Sequence, residues 1–257
     1  MTSGWSAPGK CWLPPPRRPS RRCVRRTKPS GRRCSRRNVS FGWLNYSKVA
    51  TDVLNRVYDE TALKGRLSRL DKRAKTAFAA ACAESLAALQ NRYWDRTGGS
   101  GGAARTRDIL DAAWDVASNG NADVSSLDSE AAALAPSDDE EWSFDMGYAQ
   151  NASAALAYAI RTWLSDDAQE AAWAARQIYE AAEYSFSQPD VGPGDVLVRK
   201  VSEVSSHAAG AASSAGMQSV LAFLDQALRI CEDLPPSWTQ LQLIARSAGQ
   251  SWASSFR

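Results

Sequence analysis

Phe78, Cys82, Leu86, Leu89 and Tyr93 follow one another in steps of four, four, three and four residues. Only an α-helix brings positions so spaced onto one face, because a strand aligns every second residue. Asp71, just ahead of the stripe, is a residue type that accepts hydrogen bonds from the open amides of a first helical turn. Ala77 and Ala79 to Ala81 fill the positions between. Alanine costs the least backbone and side-chain freedom in a helix, and its small size lets a neighbouring helix come close. The chain is therefore expected to assemble helices around this one.

The rest of the sequence supplies them. Ser47 can cap a helix bearing Val49, Val53 and Val57, and Leu63, Leu67 and Leu70 continue a leucine face. The glycine run 98–102 reads as a flexible break, after which Thr106 opens a helix. Ile109, Ala113 and Val116 lie on one side of that helix, Leu110, Trp114 and Ala117 on the adjoining side, and Gly120 is placed to end it. A short helix over residues 126–134 closes at Pro136. Residues 144–164 and 166–186 form two alanine-rich helices with so short a connection that they should lie antiparallel. Trp163 and Trp173 are expected to face alanine surfaces there as large knobs in small holes. Residues 189–194 read as a loop, 196–204 as either helix or strand, and 208–216 as a weak helix or a loose connection. Residues 217–234 return to a helix through Val220, Leu221, Leu224, Leu228 and Cys231, stopped by Pro235 and Pro236. Ser237 caps a last one with Leu241, Ile244, Ala248 and Trp252 on its face. No segment alternates as a strand pair does. The fold class is all-α, a multi-helix bundle of about eight helices over residues 41–257.

Residues 1–40 are of a different composition. They hold ten Arg, two Lys and six of the eleven prolines, and no Asp or Glu. Such a segment repels itself and has little apolar surface to bury, so it is expected to be a disordered basic tail. Three readings stand beside one another. It is an arm that neutralises nucleic-acid phosphates, a targeting peptide, or translated sequence upstream of a start assigned too early. Residues 41–257 carry 19 Lys and Arg against 28 Asp and Glu, so the helical body is acidic and unsuited to nucleic acid. Nucleic acid enters as a partner only through the tail. No run of apolar residues is long enough to span a membrane, and no membrane partner is expected. Five cysteines without regular spacing make no disulfide framework, which points to a cytoplasmic compartment.

The usual catalytic patterns are missing. His207 is the only histidine, which excludes a histidine-rich zinc site and a Glu-x-x-His di-iron bundle, and it sits in a polar, low-complexity stretch with no orienting partner nearby. The glycine run lacks the Gly-Lys-Ser/Thr of a phosphate loop, and although Gly98-Gly99-Ser100-Gly101-Gly102 spells Gly-x-Ser-x-Gly, no strand precedes it as a nucleophile elbow requires. Cys82 and Cys231 fit packing positions. No metal and no cofactor is called for. Two groups of residues remain as candidates. Asp138, Asp139, Glu140 and Glu141, followed by Trp142, suit either the start of a helix with Ser137 or an acidic contact surface for a basic protein. Glu84, Arg107 and Asp111 are the alternative, a carboxylate-based enzyme site inside the bundle. The spacing of Arg107 and Asp111 puts them on one helical face, where an ion pair is the ordinary outcome.

A resemblance runs over residues 63–186. It is carried by Leu67-x-x-Leu70, then Ala77-Phe78-Ala79-Ala80-Ala81-Cys82-Ala83-Glu84 and Tyr93, by Arg107-Asp108-Ile109-Leu110-Asp111-x-x-Trp114, and by Tyr148-Ala149-Gln150-Asn151-Ala152. These segments resemble the YjaG-like family of all-helical bacterial proteins of unknown function. The chain is also similar to the alanine-rich helical immunity proteins that silence a cognate toxin. The resemblance implies a helical fold. The likeness to immunity proteins implies toxin neutralisation, the lack of a nucleophile and base that can be paired favours a non-enzymatic protein-binding module, and the acidic residues favour a basic protein such as a toxin as partner.

If the basic tail contributes nothing to the fold, a chain starting at Phe41 melts at the same temperature as the full one. Thermal unfolding of both proteins checks this, and a loss of several degrees on truncation would show that the tail packs on the body.

Overall fold

The computed structural model describes residues 57–137, 142–186 and 215–256. By its internal contacts the chain divides into two units, Met1–Leu44 and Asn45–Arg257. The described residues all belong to the second and contain eight helices and no strand. In chain order these are α1 (Glu60–Leu67), α2 (Lys72–Thr97), α3 (Ser100–Ser118), α4 (Leu127–Ala133), α5 (Phe144–Ser165), α6 (Ala168–Phe186), α7 (Ala215–Glu232) and α8 (Trp238–Ser255). The expected all-helical bundle is the architecture found. The basic tail, residues 47–56 of the first expected helix, the acidic run 138–141, His207 and the expectations over residues 189–214 lie outside the described residues.

The axis of the bundle is α2. Every residue from Ala74 to Leu86 is buried. That span exceeds three helical turns, so no face of this stretch meets solvent. Helices α3, α5, α6, α7 and α8 all pack against it. The predicted stripe of Phe78, Cys82, Leu86, Leu89 and Tyr93 is buried in full. Ala77, Ala79, Ala80, Ala81 and Ala83 between them are buried as well, which is what lets partners close in from all directions rather than one.

Basic residues of α2 also finish its neighbours. The last carbonyls of a helix have no partner within it and carry partial negative charge. Arg73 donates from Nε to the Ala117 carbonyl at 2.8 Å and from Nη2 to that of Ser118, closing α3. Lys75 Nζ donates to the Asp166 carbonyl at 2.7 Å and pairs with its carboxylate at 2.8 Å, closing the turn from α5 to α6. Arg92 Nη1 donates to the carbonyls of Ala253 and Phe256 at 3.3 and 2.9 Å, closing α8. Asp71 caps α2 itself by accepting from the Ala74 amide at 2.7 Å, as expected, and Ser237 caps α8.

Several expectations are corrected. The glycine run is not a flexible break. Gly98 ends α2 in the left-handed conformation at φ 72°, and α3 begins at Ser100, not at Thr106. Gly99 and Gly102 lie flat on the indole of Trp94, where an added Cβ would come within 2.5 and 2.8 Å of ring atoms. The glycines are there for that contact. Val57 is not helical; it lies ahead of α1 and is 79% exposed. The residue that caps α5 is Ser143, which accepts from the Met146 amide, while the helix start expected at Ser137 rests on the acids after it, which lie outside the described residues. Trp163 is only half-buried, with Lys72 over its ring at 4.2 Å, and Trp173 is an exposed neighbour of Tyr158. On α8 the buried face is Leu241, Ala245, Gly249 and Trp252, one position round from the expected Ile244 and Ala248. Ile244 and Ala248 flank that face. No described helix is long and apolar enough to cross a membrane. Cys82 and Cys231 are buried free thiols.

Gly249 shows why the face of α8 is turned. A Cβ there would lie 2.5 Å from the backbone carbonyl oxygen of Ser85, so α8 rests directly on the α2 backbone. Gly249→Ala should cost about 1–3 kcal/mol by overpacking. Gly65→Ala, a helical glycine with nothing within 4 Å of the new carbon, should gain about 0.5–1 kcal/mol from reduced backbone freedom of the unfolded chain. Chemical denaturation of the two variants checks the contrast.

Candidate functional site

The two groups singled out from the sequence meet different fates. Glu84, Arg107 and Asp111 are brought together. Glu84 stands near the middle of α2 with its side chain 3% exposed. The carboxylate accepts from four donors on two other helices. Arg107 of α3 donates from Nη1 to Oε1 at 2.7 Å and from Nη2 to Oε2 at 3.2 Å. Trp114, two turns along α3, donates its indole N–H to Oε2 at 2.8 Å. Arg246 of α8 donates from Nε to Oε1 at 3.0 Å. Asp111 holds the outer side of Arg107 at 2.6 Å and is itself exposed, the ordinary ion pair that its spacing implies.

Local sequence accounts for this assembly. Arg107, Asp111 and Trp114 are spaced by four and three residues on α3 and share a flank. Arg246 precedes Gly249 by one turn of α8. The glycine brings that turn onto Ser85, next to Glu84, and the arginine is carried along. Arg246 and the polar use of Trp114 were not read from the sequence. The signal was Gly249 inside an otherwise good helix, a position that marks close backbone approach when another helix lies there.

The electrostatics follow from the donors. Burial alone would push the Glu84 carboxyl upward, but the hydrogen bonds and charge of Arg107, with those of Arg246 and Trp114, outweigh it and hold the group below its ordinary value of 4.5. A general acid at neutral pH needs the opposite shift. Both oxygens are taken by donors already in place, and one guanidinium binds in the two-pronged geometry that is strongest for this pair. The arrangement joins α2, α3 and α8 by a buried, saturated ion cluster.

The other group is split. Asp138, Asp139, Glu140 and Glu141 lie outside the described residues. Trp142, which follows them, is 58% exposed. Its ring meets Phe144 edge-on at 4.9 Å, and Phe144 leans on buried Tyr148. Burial pushes the Tyr148 hydroxyl up to about 12. Ser143 and Asp145, at the start of α5, are held from α2: Arg96 donates to the Ser143 hydroxyl, and Arg92 pairs with Asp145 at 2.7 Å. The residues that follow the acidic run in sequence thus form a fixed helix start, with the indole of Trp142 open to solvent. Among the described residues no group of three His, Cys, Asp or Glu side chains is placed to hold a metal ion.

No family model and no curated protein matches the chain. A DUF416 family protein from Shewanella baltica OS155 has a similar structure, with a TM-score of 0.57 at 13% identity, over 73% of this chain and 93% of that one. At that identity the likeness is one of fold.

Glu84→Gln should lower stability at neutral pH by about 3 kcal/mol, the lower end for breaking a buried pair because both arginines also reach solvent. A carboxyl whose folded pKa is depressed stabilises above its unfolded pKa and loses that stabilisation as pH falls through the folded value. The difference between wild type and Glu84→Gln should therefore be full above about pH 5 and shrink on acidification below about pH 4. Urea unfolding of both proteins between pH 3 and 7 checks the sign.

Proposed function

We propose that this chain is a non-enzymatic protein-binding module whose contact surface is Asp138, Asp139, Glu140, Glu141 and Trp142. The observation that carries the reading is Trp142, a large aromatic side chain more than half open to solvent at a fixed helix start, directly after four acids. Exposed aromatics of this kind supply the anchor of an interface, and adjacent like charges steer an oppositely charged partner toward it. The acidic balance of residues 41–257 favours a basic partner. Saturation of Glu84 supports the same reading from the other side, since the carboxylate of the alternative enzyme site has no oxygen left over for a substrate proton.

The chain is further proposed to be a distant YjaG-like protein, working in the cytoplasm as an immunity-type protein that neutralises a basic toxin. The helical likeness to the DUF416 family protein supports the fold part of that proposal. The buried free thiols suit a reducing compartment.

The test uses the partner captured on the immobilised chain. Asp139→Lys with Glu140→Lys should slow association at least about tenfold, and raising the salt should slow the wild-type complex in the same direction. Trp142→Ala should act on dissociation and cost about 2 kcal/mol of affinity. Unchanged rates in both variants would remove this surface from the account. Capture of a partner that is not basic would sink the immunity reading.

A further inference from the structure

Helix α1 lies along α6. Tyr58, just ahead of it, stacks on Tyr179 with ring centres 4.7 Å apart and donates its hydroxyl to the Ala172 carbonyl at 3.4 Å. Toward α7 the link is of another kind. Arg66 reaches across with its long side chain and pairs with Asp225 at 3.1 Å and with Glu232 at 2.7 Å. Beside that bridge the two helices are separated by a groove of about 430 Å³. Its walls include the Tyr58 ring, Leu63 of α1, and Leu221, Leu224 and Leu228 of α7. The three leucines follow one another at steps of three and four, so they form one stripe of α7. They are 7, 5 and 1% exposed, which sets the aliphatic wall below the surface rather than on it.

We infer that this groove is a binding site for a neutral, apolar small molecule with the bulk of two or three aromatic rings. The charges at its rim decide the class. Arg66 is held by two carboxylates, Arg229 pairs with Asp225 at 2.9 Å, and Asp59 accepts from the Ala62 amide as the cap of α1. The Tyr58 hydroxyl is turned to Ala172. Each of these groups already has its partner in the protein. A charged ligand would leave water without gaining a counter-ion, whereas an apolar one gives up little on entry and gains contact with the leucines.

Size and mobility agree. Ligand pockets run from roughly 300 to 1,000 Å³ and are lined mostly by apolar side chains. A cavity of about 150 Å³ takes one benzene, so this groove has room for roughly two to three rings. Of α1 only Leu67 is buried. That wall gives way to an entering molecule without opening the core, because its other holds are the ion pairs of Arg66 and the contacts of its first turn with α6. The inference is independent of the partner-binding surface at Trp142.

The test titrates the full chain with two fluorescent probes that share one skeleton. N-phenylnaphthylamine is neutral, and anilinonaphthalene sulfonate carries an anionic group on the same rings. The neutral probe should saturate one site, and the sulfonate should bind at least about tenfold more weakly. Ala62 lines the groove from the exposed side of α1. Ala62→Trp puts an indole into the space and should weaken the neutral probe at least about tenfold while the circular dichroism stays the same. In the wild-type chain the bound probe should slow hydrogen exchange in residues 221–229 and leave residues 127–133 unchanged. That readout stands even if the variant folds poorly. No saturable binding of the neutral probe would overturn the inference. So would equal affinity for the sulfonate, binding that Ala62→Trp leaves unchanged, or a probe that slows exchange elsewhere and not in residues 221–229.

Discussion

A helix with no solvent face has to settle every polar group it carries inside the protein, and that requirement organises this fold. Over Ala74–Leu86 the central helix α2 is surrounded. Six of its thirteen residues there are alanines, which with Phe78, Cys82 and Leu86 ask for nothing but contact. The exceptions each have a specific answer. Thr76 and Ser85 donate back to carbonyls of their own helix, at 2.8 Å in both cases. Lys75 reaches the turn between α5 and α6. Glu84 cannot be answered from within α2, and two helices supply the donors. One turn beyond, Gln90 donates to Ser153 of α5 at 2.9 Å. An unpaired carboxylate at the site of Glu84 would cost several kcal/mol, so α3 and α8 are tied to one register against α2 rather than merely packed on it.

The same constraint separates structure from function. The interior carboxylate that looked most like a reactive group is consumed in holding helices together, and its charge is stabilised rather than poised. On its outside the body leaves the indole of Trp142 open to solvent, directly after a run of acids in the sequence. Arg92 and Arg96 of α2 fix the helix start that follows this run through Asp145 and Ser143. The central helix thus secures the end of the proposed contact surface as well as the core, and a partner would meet an anchor that is already positioned.

The helices were legible because each carries its own period and its own punctuation. Asp71, Ser237 and the stripe from Phe78 to Tyr93 are local signals, and local physics decided them. Trp114 was legible as a core residue from the stripe of α3, although its hydrogen bond to Glu84 was not. Gly99 and Gly102 were misread, and Gly249 was passed over, because a glycine's role depends on what stands opposite: Trp94 for the first two and Ser85 for the third. The same holds for the one-position rotation of α8 and for the outward tilt of Trp173. Of the candidate site residues, Arg107 and Asp111 share a turn and could be paired from spacing. The link from Arg107 to Glu84 crosses 23 positions and that from Arg246 to Glu84 crosses 162, and no local period encodes either.

If α2 is the element on which the others depend, it should have no opening of its own. Native-state hydrogen exchange at increasing denaturant reads this directly. Amides of residues 77–86 should exchange only through global unfolding, with an opening free energy equal to that of the whole protein and a full dependence on denaturant. The outer helices α1, α4 and α7 should open at lower free energies while α2 remains protected. Exchange of residues 77–86 through a smaller, denaturant-insensitive opening, or maximal protection in α7 with α2 already open, would contradict the account.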